Sequence, residues 1–228
     1  MGMMPLDWII VYGFVIFLAI GLHEYAHCKF ADMAGDPTPG SYGRVTLNLT
    51  KHFEPMGTMM IVLTTISGFG IGWGRPAPMN PRLMRNPRWD FFAAVIAGPL
   101  SNIMQAAIWA MIMRAVLIYD DSVLLTFDGG LTTVGLFLHL AVFVNLALAF
   151  FNMLPFGPLD GRWLVGQLLP DKPRLYWYRF NDRFGMIGLF GLIIVSQIIR
   201  AQTGYSLLWD TIGPPVEFLY QFFTGVKA

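Results

Sequence analysis

Read for hydropathy, the chain is a series of long apolar runs cut by short polar connectors. The first run, Trp8 to Leu22, is apolar on every side, the pattern of a helix surrounded by lipid or protein. Residues 6–30 are therefore expected as a helix that turns abruptly ionisable after Gly21. Residues 31–55 are polar and turn-rich, and Gly35-Asp36-Pro37-Thr38-Pro39-Gly40 argues against helix there. Within them, Arg44 to Thr50 alternates with period two and predicts a short β-strand or hairpin near 44–50. Residues 56–72 are apolar but short and carry glycines at 57, 68, 70 and 72, which suits a re-entrant loop as well as a span. A proline-punctuated connector, Gly74 to Pro81, leads into a spanning helix over 90–118 that contains Ala97-Gly98-Pro99-Leu100-Ser101-Asn102. The loop 119–130 carries Asp120, Asp121 and Asp128 and no Lys or Arg. Residues 131–154 span again and run into Asn152-Met153-Leu154-Pro155-Phe156-Gly157-Pro158-Leu159-Asp160-Gly161. After a basic stretch at 162–183, residues 184–200 read as a further span, and 205–223 are apolar but broken by Gly213-Pro214-Pro215. The expectation is an all-α polytopic membrane protein with about five to six transmembrane segments and no internal repeat.

Composition agrees. At 228 residues, 55% hydrophobic and 13% charged, with mean hydropathy +0.56, the chain is too apolar for a soluble domain of its size. One membrane-embedded domain over 1–228 follows, with the bilayer as its surroundings. A net charge of +1 gives no reason to expect a nucleic-acid partner. The single cysteine, Cys28, excludes an intrachain disulfide and any multi-cysteine metal site, and reads as a small buried packing residue. No Lys or Arg precedes the first apolar run and no cleavage site follows it, so it reads as a retained helix. Positive charge at 75–88 and 162–183, against the acidic loop 119–130, puts the two basic stretches on the cytoplasmic side of a cell membrane.

The chemistry sits at the end of the first helix, in His23-Glu24-Tyr25-Ala26-His27. Histidines four apart on a helix lie about 6 Å along the axis and nearly on one face, so both can serve one metal ion. Glu24 stands where a metal hydrolase needs a base. Ionisable groups on a lipid-seeking helix are functional candidates, because they are costly there unpaired. Zinc hydrolases usually take three protein ligands, and the remaining supply is Asp160, His52, His139, Glu54 and Cys28. Asp160 is the best choice, since Pro155 and Pro158 break the segment before it and irregular backbone at membrane depth lines protein or a wet cavity. His139 reads as a packed, hydrogen-bonded residue and His52 as part of a polar loop. If Asp160 shares a metal with His23 and His27, the first helix ends on the cytoplasmic side, and 56–72 cannot cross the membrane once.

His23-Glu24-x-x-His27, Ala97-Gly98-Pro99 and Asn152-x-x-Pro155-x-x-x-Leu159-Asp160-Gly161 resemble, in order, the motif set of the site-2 protease family of intramembrane zinc metalloproteases. The connector Gly74-Arg75-Pro76-Ala77-Pro78-Met79-Asn80-Pro81 is similar to that of a compact prokaryotic branch without PDZ or CBS domains. The likeness covers about residues 15–165, with a catalytic core over about 8–165 and C-terminal helices over 184–223. It implies one zinc ion on His23, His27 and Asp160, Glu24 as catalytic base, and Asn152 in substrate positioning. The expected activity is an endopeptidase cutting transmembrane or membrane-anchored proteins near the cytoplasmic leaflet. The alternative is a zinc-binding scaffold or metal-transport protein without the chemistry, against which the absence of repeats and the presence of Glu24 both argue.

Overall fold

The computed structural model describes residues 5–67, 72–126 and 129–226. Gly68 and Gly70 of the short apolar run, and Asp128 of the acidic loop, lie outside them. Eight α-helices are described: α1 (Leu6–Met33), α2 (Thr38–Ser41), α3 (Pro55–Ser67), α4 (Trp89–Tyr119), α5 (Thr133–Asn152), α6 (Asp160–Leu168), α7 (Asp171–Thr203) and α8 (Leu207–Thr224). Four of them, α1, α4, α5 and α7, are long and apolar enough to cross a membrane. The expected five to six spans are thus four by length and composition. At 13 residues α3 reaches only about 20 Å along its axis, short of the hydrocarbon thickness.

Helices α1, α4 and α5 pack on one another, α8 lies on α4 and α5, and α3 rests on α1. Lipid is as apolar as leucine, so membrane helices associate through close packing rather than hydrophobic drive. The seams accordingly carry small residues, with Ala31, Ala94, Ala106, Ala110, Ala141 and Ala149 all buried. The end of α1 is set by its own sequence. Gly35 takes φ +100°, Gly35 N–H donates to the Asp32 carbonyl and Asp36 N–H to Ala31, a Schellman closure that needs glycine at this point. Asp36, fully buried, then accepts from Thr38 N–H and hydroxyl and from Asn80 N–H at 2.6 Å, tying the proline connector to the end of α1.

Three expectations are corrected. No strand forms at 44–50: among the described residues the β-structure is one isolated bridge, Leu125 with Leu131. A strand needs a neighbour to take its backbone hydrogen bonds, and here none is adjacent. The alternating residues do not share a face: Leu49 packs on Gly21, whereas Leu47 is 66% exposed. The turn-rich segment does hold one helical turn, α2, because Pro39 sits within its first turn where proline is tolerated. The basic stretch 162–183 is helical, as α6 and the first half of α7, and Pro173 again falls in a first turn. Finally, Pro214 and Pro215 do not break α8; they remove donors to the carbonyls of Asp210 and Thr211, both exposed, while Ile212, Val216 and Tyr220 keep a buried face on α4 and α5. Trp209 lies beside Phe143, Tyr220 beside His139, and the Thr224 carbonyl accepts from Arg114, so α8 runs toward the α4–α5 connector.

Candidate metal centre

Helical periodicity stacks His23 and His27 on the buried face of α1, with Nε2 atoms 3.0 Å apart. Each ring is oriented through its other nitrogen. His23 Nδ1 lies 2.6 Å from Asn102 Oδ1 and His27 Nδ1 2.8 Å from the Ala94 carbonyl, both on α4. Asn102 uses its Nδ2 to donate to the Ala19 carbonyl and to Asn145 Oδ1, so its Oδ1 is an acceptor. Carbonyl oxygens only accept; both histidines therefore carry their proton on Nδ1 and present bare Nε2 lone pairs to each other. Asp160 brings Oδ2 to 3.2 Å from His23 Nε2 and 3.3 Å from His27 Nε2. That oxygen is buried with no hydrogen-bond partner.

Three lone-pair donors converging on one point repel unless a cation lies between them. Zinc bonds of about 2.0–2.1 Å in a tetrahedron put its ligand atoms about 3.3 Å apart. The edges of 3.0, 3.2 and 3.3 Å match one face of that tetrahedron. Within the described residues, His23, His27 and Asp160 are the group able to hold a metal ion.

Backbone fit brings Asp160 there. A Cβ on Gly161 would overlap the carbonyls of Met153 and Leu154, so the first turn of α6 folds against the end of α5 only with glycine after Asp160. Gly157, at φ +52°, passes so close to α7 that a Cβ on Gly185 would lie 2.7 Å from its nitrogen. Arg162 pairs with Asp182, and Trp177 Nε1 donates to the Arg162 carbonyl at 2.8 Å. The early part of α7 thus braces the segment that carries Asp160.

Glu24 is half-buried beside this group, its Oε2 shut away without a partner. Asn152 does not join it; its Nδ2 donates to the Leu148 carbonyl of its own helix. The other residues weighed as ligands are elsewhere: His52 donates to Thr46, His139 meets Tyr220, Glu54 accepts from Trp73, and Cys28 is a buried free thiol. The sequence reading left three residues unassigned. Asn102 and Asn145 form the polar column behind His23, and Gly98 makes room for both rings. The available signal was an asparagine inside an apolar span, where it must find a partner. Replacing Asn102 with Leu is expected to weaken zinc binding about 10–100-fold while the helices still assemble. Competition with a chromogenic chelator measures this, and unchanged affinity would show that the His23 ring is held by its packing alone.

Comparison with known proteins agrees with this geometry. Over 211 residues, 92% of this chain and 90% of the other, the chain is 30% identical to the candidate zinc metalloprotease YwhC of Bacillus subtilis (strain 168). It is 27% identical over 160 residues, 69% of this chain and 58% of the other, to the candidate zinc metalloprotease Rip2 of Mycolicibacterium smegmatis (strain ATCC 700084 / mc(2)155). No family model matches, and no solved structure does. Fold and site together define a multi-pass membrane protein that is a zinc metalloprotease. The chain belongs to the site-2 protease family.

Proposed function

We propose that this enzyme cuts transmembrane or membrane-anchored proteins within the bilayer, near the cytoplasmic leaflet, with His23, His27 and Asp160 holding zinc and Glu24 as the base. The observation that carries the reading is the set of three bare donors, 3.0–3.3 Å apart, two of them built onto the end of a helix apolar and long enough to cross a membrane. When bound there, zinc supplies a Lewis acid that polarises the scissile carbonyl and acidifies water. Asn102 and the Ala94 carbonyl hold the histidine protons on Nδ1, keeping both Nε2 atoms free for the ion. Glu24 accepts a proton from the attacking water and returns it to the leaving amine nitrogen, so the amine departs neutral. Asn152, one turn ahead of the Pro155 break, takes the role of positioning substrate.

Two further features support a substrate within the membrane. A cavity of about 510 Å³ runs between α1, α5, α7 and α8, from Trp8 and Tyr12 to Ile20, one turn before Glu24. Its lining is almost wholly apolar, with Thr64 and Gln197 among the few polar members. The α3 hairpin borders it as a re-entrant element: the chain returns so close to α3 that a Cβ on Gly57 would overlap the Trp73 carbonyl and one on Gly72 would overlap Ile61.

The test is purified protein in vesicles with a single-span substrate, wild type against Glu24→Gln, with metal analysis of both. One zinc per chain in each, and cleavage reduced by at least about 100-fold in the variant, is the expected result. Zinc bound by both with no cleavage by either would assign a non-catalytic zinc-binding protein instead.

A further inference from the structure

The segment between α2 and α3 contains a residue that the metal centre does not use. Arg44 is only 2% exposed, among the largest fully buried side chains of the protein. Its backbone N–H donates to the Pro39 carbonyl at 2.8 Å, and its Nη2 donates to the Arg75 carbonyl at 2.6 Å. His52 donates from Nε2 to the Thr46 carbonyl at 2.9 Å, which leaves its Nδ1 to face Arg44 Nη2 at 3.5 Å. The Nε of Arg44 is buried with no acceptor. A guanidinium stays charged in proteins, and a buried charge needs a counter-charge. The groups acting on it are Cys28 and Glu24 from α1 and Arg75 from the connector, with His52 in hydrogen-bond reach. Only Glu24 among them is an acid. Burial pushes the Arg44 guanidinium down from its ordinary value, Cys28 and Glu24 push it up, and Arg75 pushes it down.

The same cluster presses backbone against Glu24. The Arg75 N–H donates to the His52 carbonyl at 2.8 Å while the Arg75 carbonyl accepts from Arg44. Both polar groups of that residue are therefore pinned, and Gly74 just before it lies across α1. A Cβ on Gly74 would lie 2.7 Å from Ile20 Cγ2, 3.1 Å from Glu24 Cγ and 3.2 Å from the His52 carbonyl. Only a glycine passes there, and its neighbour is held by Arg44.

We propose that Arg44 is a positioning residue for Glu24: clasped to the Arg75 carbonyl beside His52, it holds Gly74 against the glutamate stem. This rests on Glu24 being the base. Arginine brings both contacts from one nitrogen, Nη2, at the end of a rigid planar group, which lysine does not offer although it keeps the charge.

The experiment compares zinc-loaded wild type, Arg44→Met, Arg44→Lys and Gly74→Ala with the same single-span substrate in vesicles. Zinc content is expected to stay at one per chain throughout. In Arg44→Met, kcat falls by about ten-fold or more with KM changed less than about two-fold, the signature of a loss confined to the chemical step. Arg44→Lys recovers part of that loss, and Gly74→Ala, which leaves Arg44 in place, reproduces it. In a Glu24→Asp background, where the shortened stem no longer meets Gly74, Arg44→Met costs at most about two-fold, so the two substitutions are not additive. Unchanged kcat in both Arg44→Met and Gly74→Ala would overturn the proposal, as would full additivity with Glu24→Asp or loss of zinc from folded Arg44→Met. The Gly74 variant decides the question if Arg44→Met does not fold. Loss of cleavage in Glu24→Gln tests the base itself, so failure of that reading is seen separately from failure at Arg44.

Discussion

Asp160→Asn is expected to leave a folded protein that neither retains zinc nor cleaves substrate. The two histidines are neutral donors, so Asp160 supplies the whole negative charge of the ligand set. An asparagine in the same place offers a neutral oxygen or an amide N–H, and the N–H would point at the bare Nε2 atoms 3.2 and 3.3 Å away. It would hydrogen-bond to them and occupy their lone pairs. Second-sphere changes alone weaken metal binding about 10–100-fold, so loss of the charged ligand is expected to exceed about 100-fold. Zinc content after dialysis against a chelator, measured beside wild type, checks this. Retention of one zinc per chain by Asp160→Asn would remove Asp160 from the ligand set and reopen the choice of third ligand.

Gly98→Ala is expected to damage the same site from the opposite side. A Cβ at this position would overlap the His27 ring and lie 2.8 Å from His23 Cε1. Neither ring has room to yield, because each is held through Nδ1, His23 by Asn102 at 2.6 Å and His27 by the Ala94 carbonyl at 2.8 Å. The helices must separate or the rings must turn, and either moves the Nε2 atoms off the common point. Over-packing of this kind costs about 1–3 kcal/mol of stability, and a ring turned away from the ion removes a ligand. Expected together are a lower unfolding temperature, zinc affinity reduced by at least about ten-fold, and a parallel loss of cleavage. Gly191→Ala is the control, since nothing lies within 4 Å of a Cβ there and it should behave as wild type. Normal zinc binding by Gly98→Ala would mean that α4 approaches the histidines less closely in solution.

Much of this site was readable from residue order because its parts are local. His23 and His27 face one way through the helical repeat alone, and the same repeat puts Glu24 beside them. The break before Asp160 follows from Pro155 and Pro158, whatever surrounds them. Spans read from hydropathy match α1, α4 and α5 to within a few residues, because an all-apolar run has one stable state in lipid. The failures came where a local pattern had no partner to complete it. Period-two alternation at 44–50 predicts a strand only if another strand lies alongside; here Arg44 is buried and Leu49 packs on Gly21 while Leu47 faces outward. The basic stretch 162–183 carried no fold signal of its own; it lies in α6 and the start of α7, where Trp177, Tyr178 and Asp182 find Arg162, Gly166 and Gln167 on the neighbouring helix.

Residue order by itself determined a polytopic helical membrane protein, with two histidines able to share a metal ion and a glutamate beside them at the end of its first helix, and an acid after a proline break as the best candidate to join them. Those features depend on dihedral preference, hydropathy and spacing, all carried by residues a few positions apart. Tertiary structure decided what makes them a site. It set the 3.0–3.3 Å triangle of donors, the asparagine column that fixes the histidine protons, the glycine at 98 that admits two rings, and the buried arginine on the Arg75 carbonyl next to the glycine that meets Glu24. Each of those joins residues tens of positions apart through a close approach of backbones, and no local preference specifies which small residue will meet which ring.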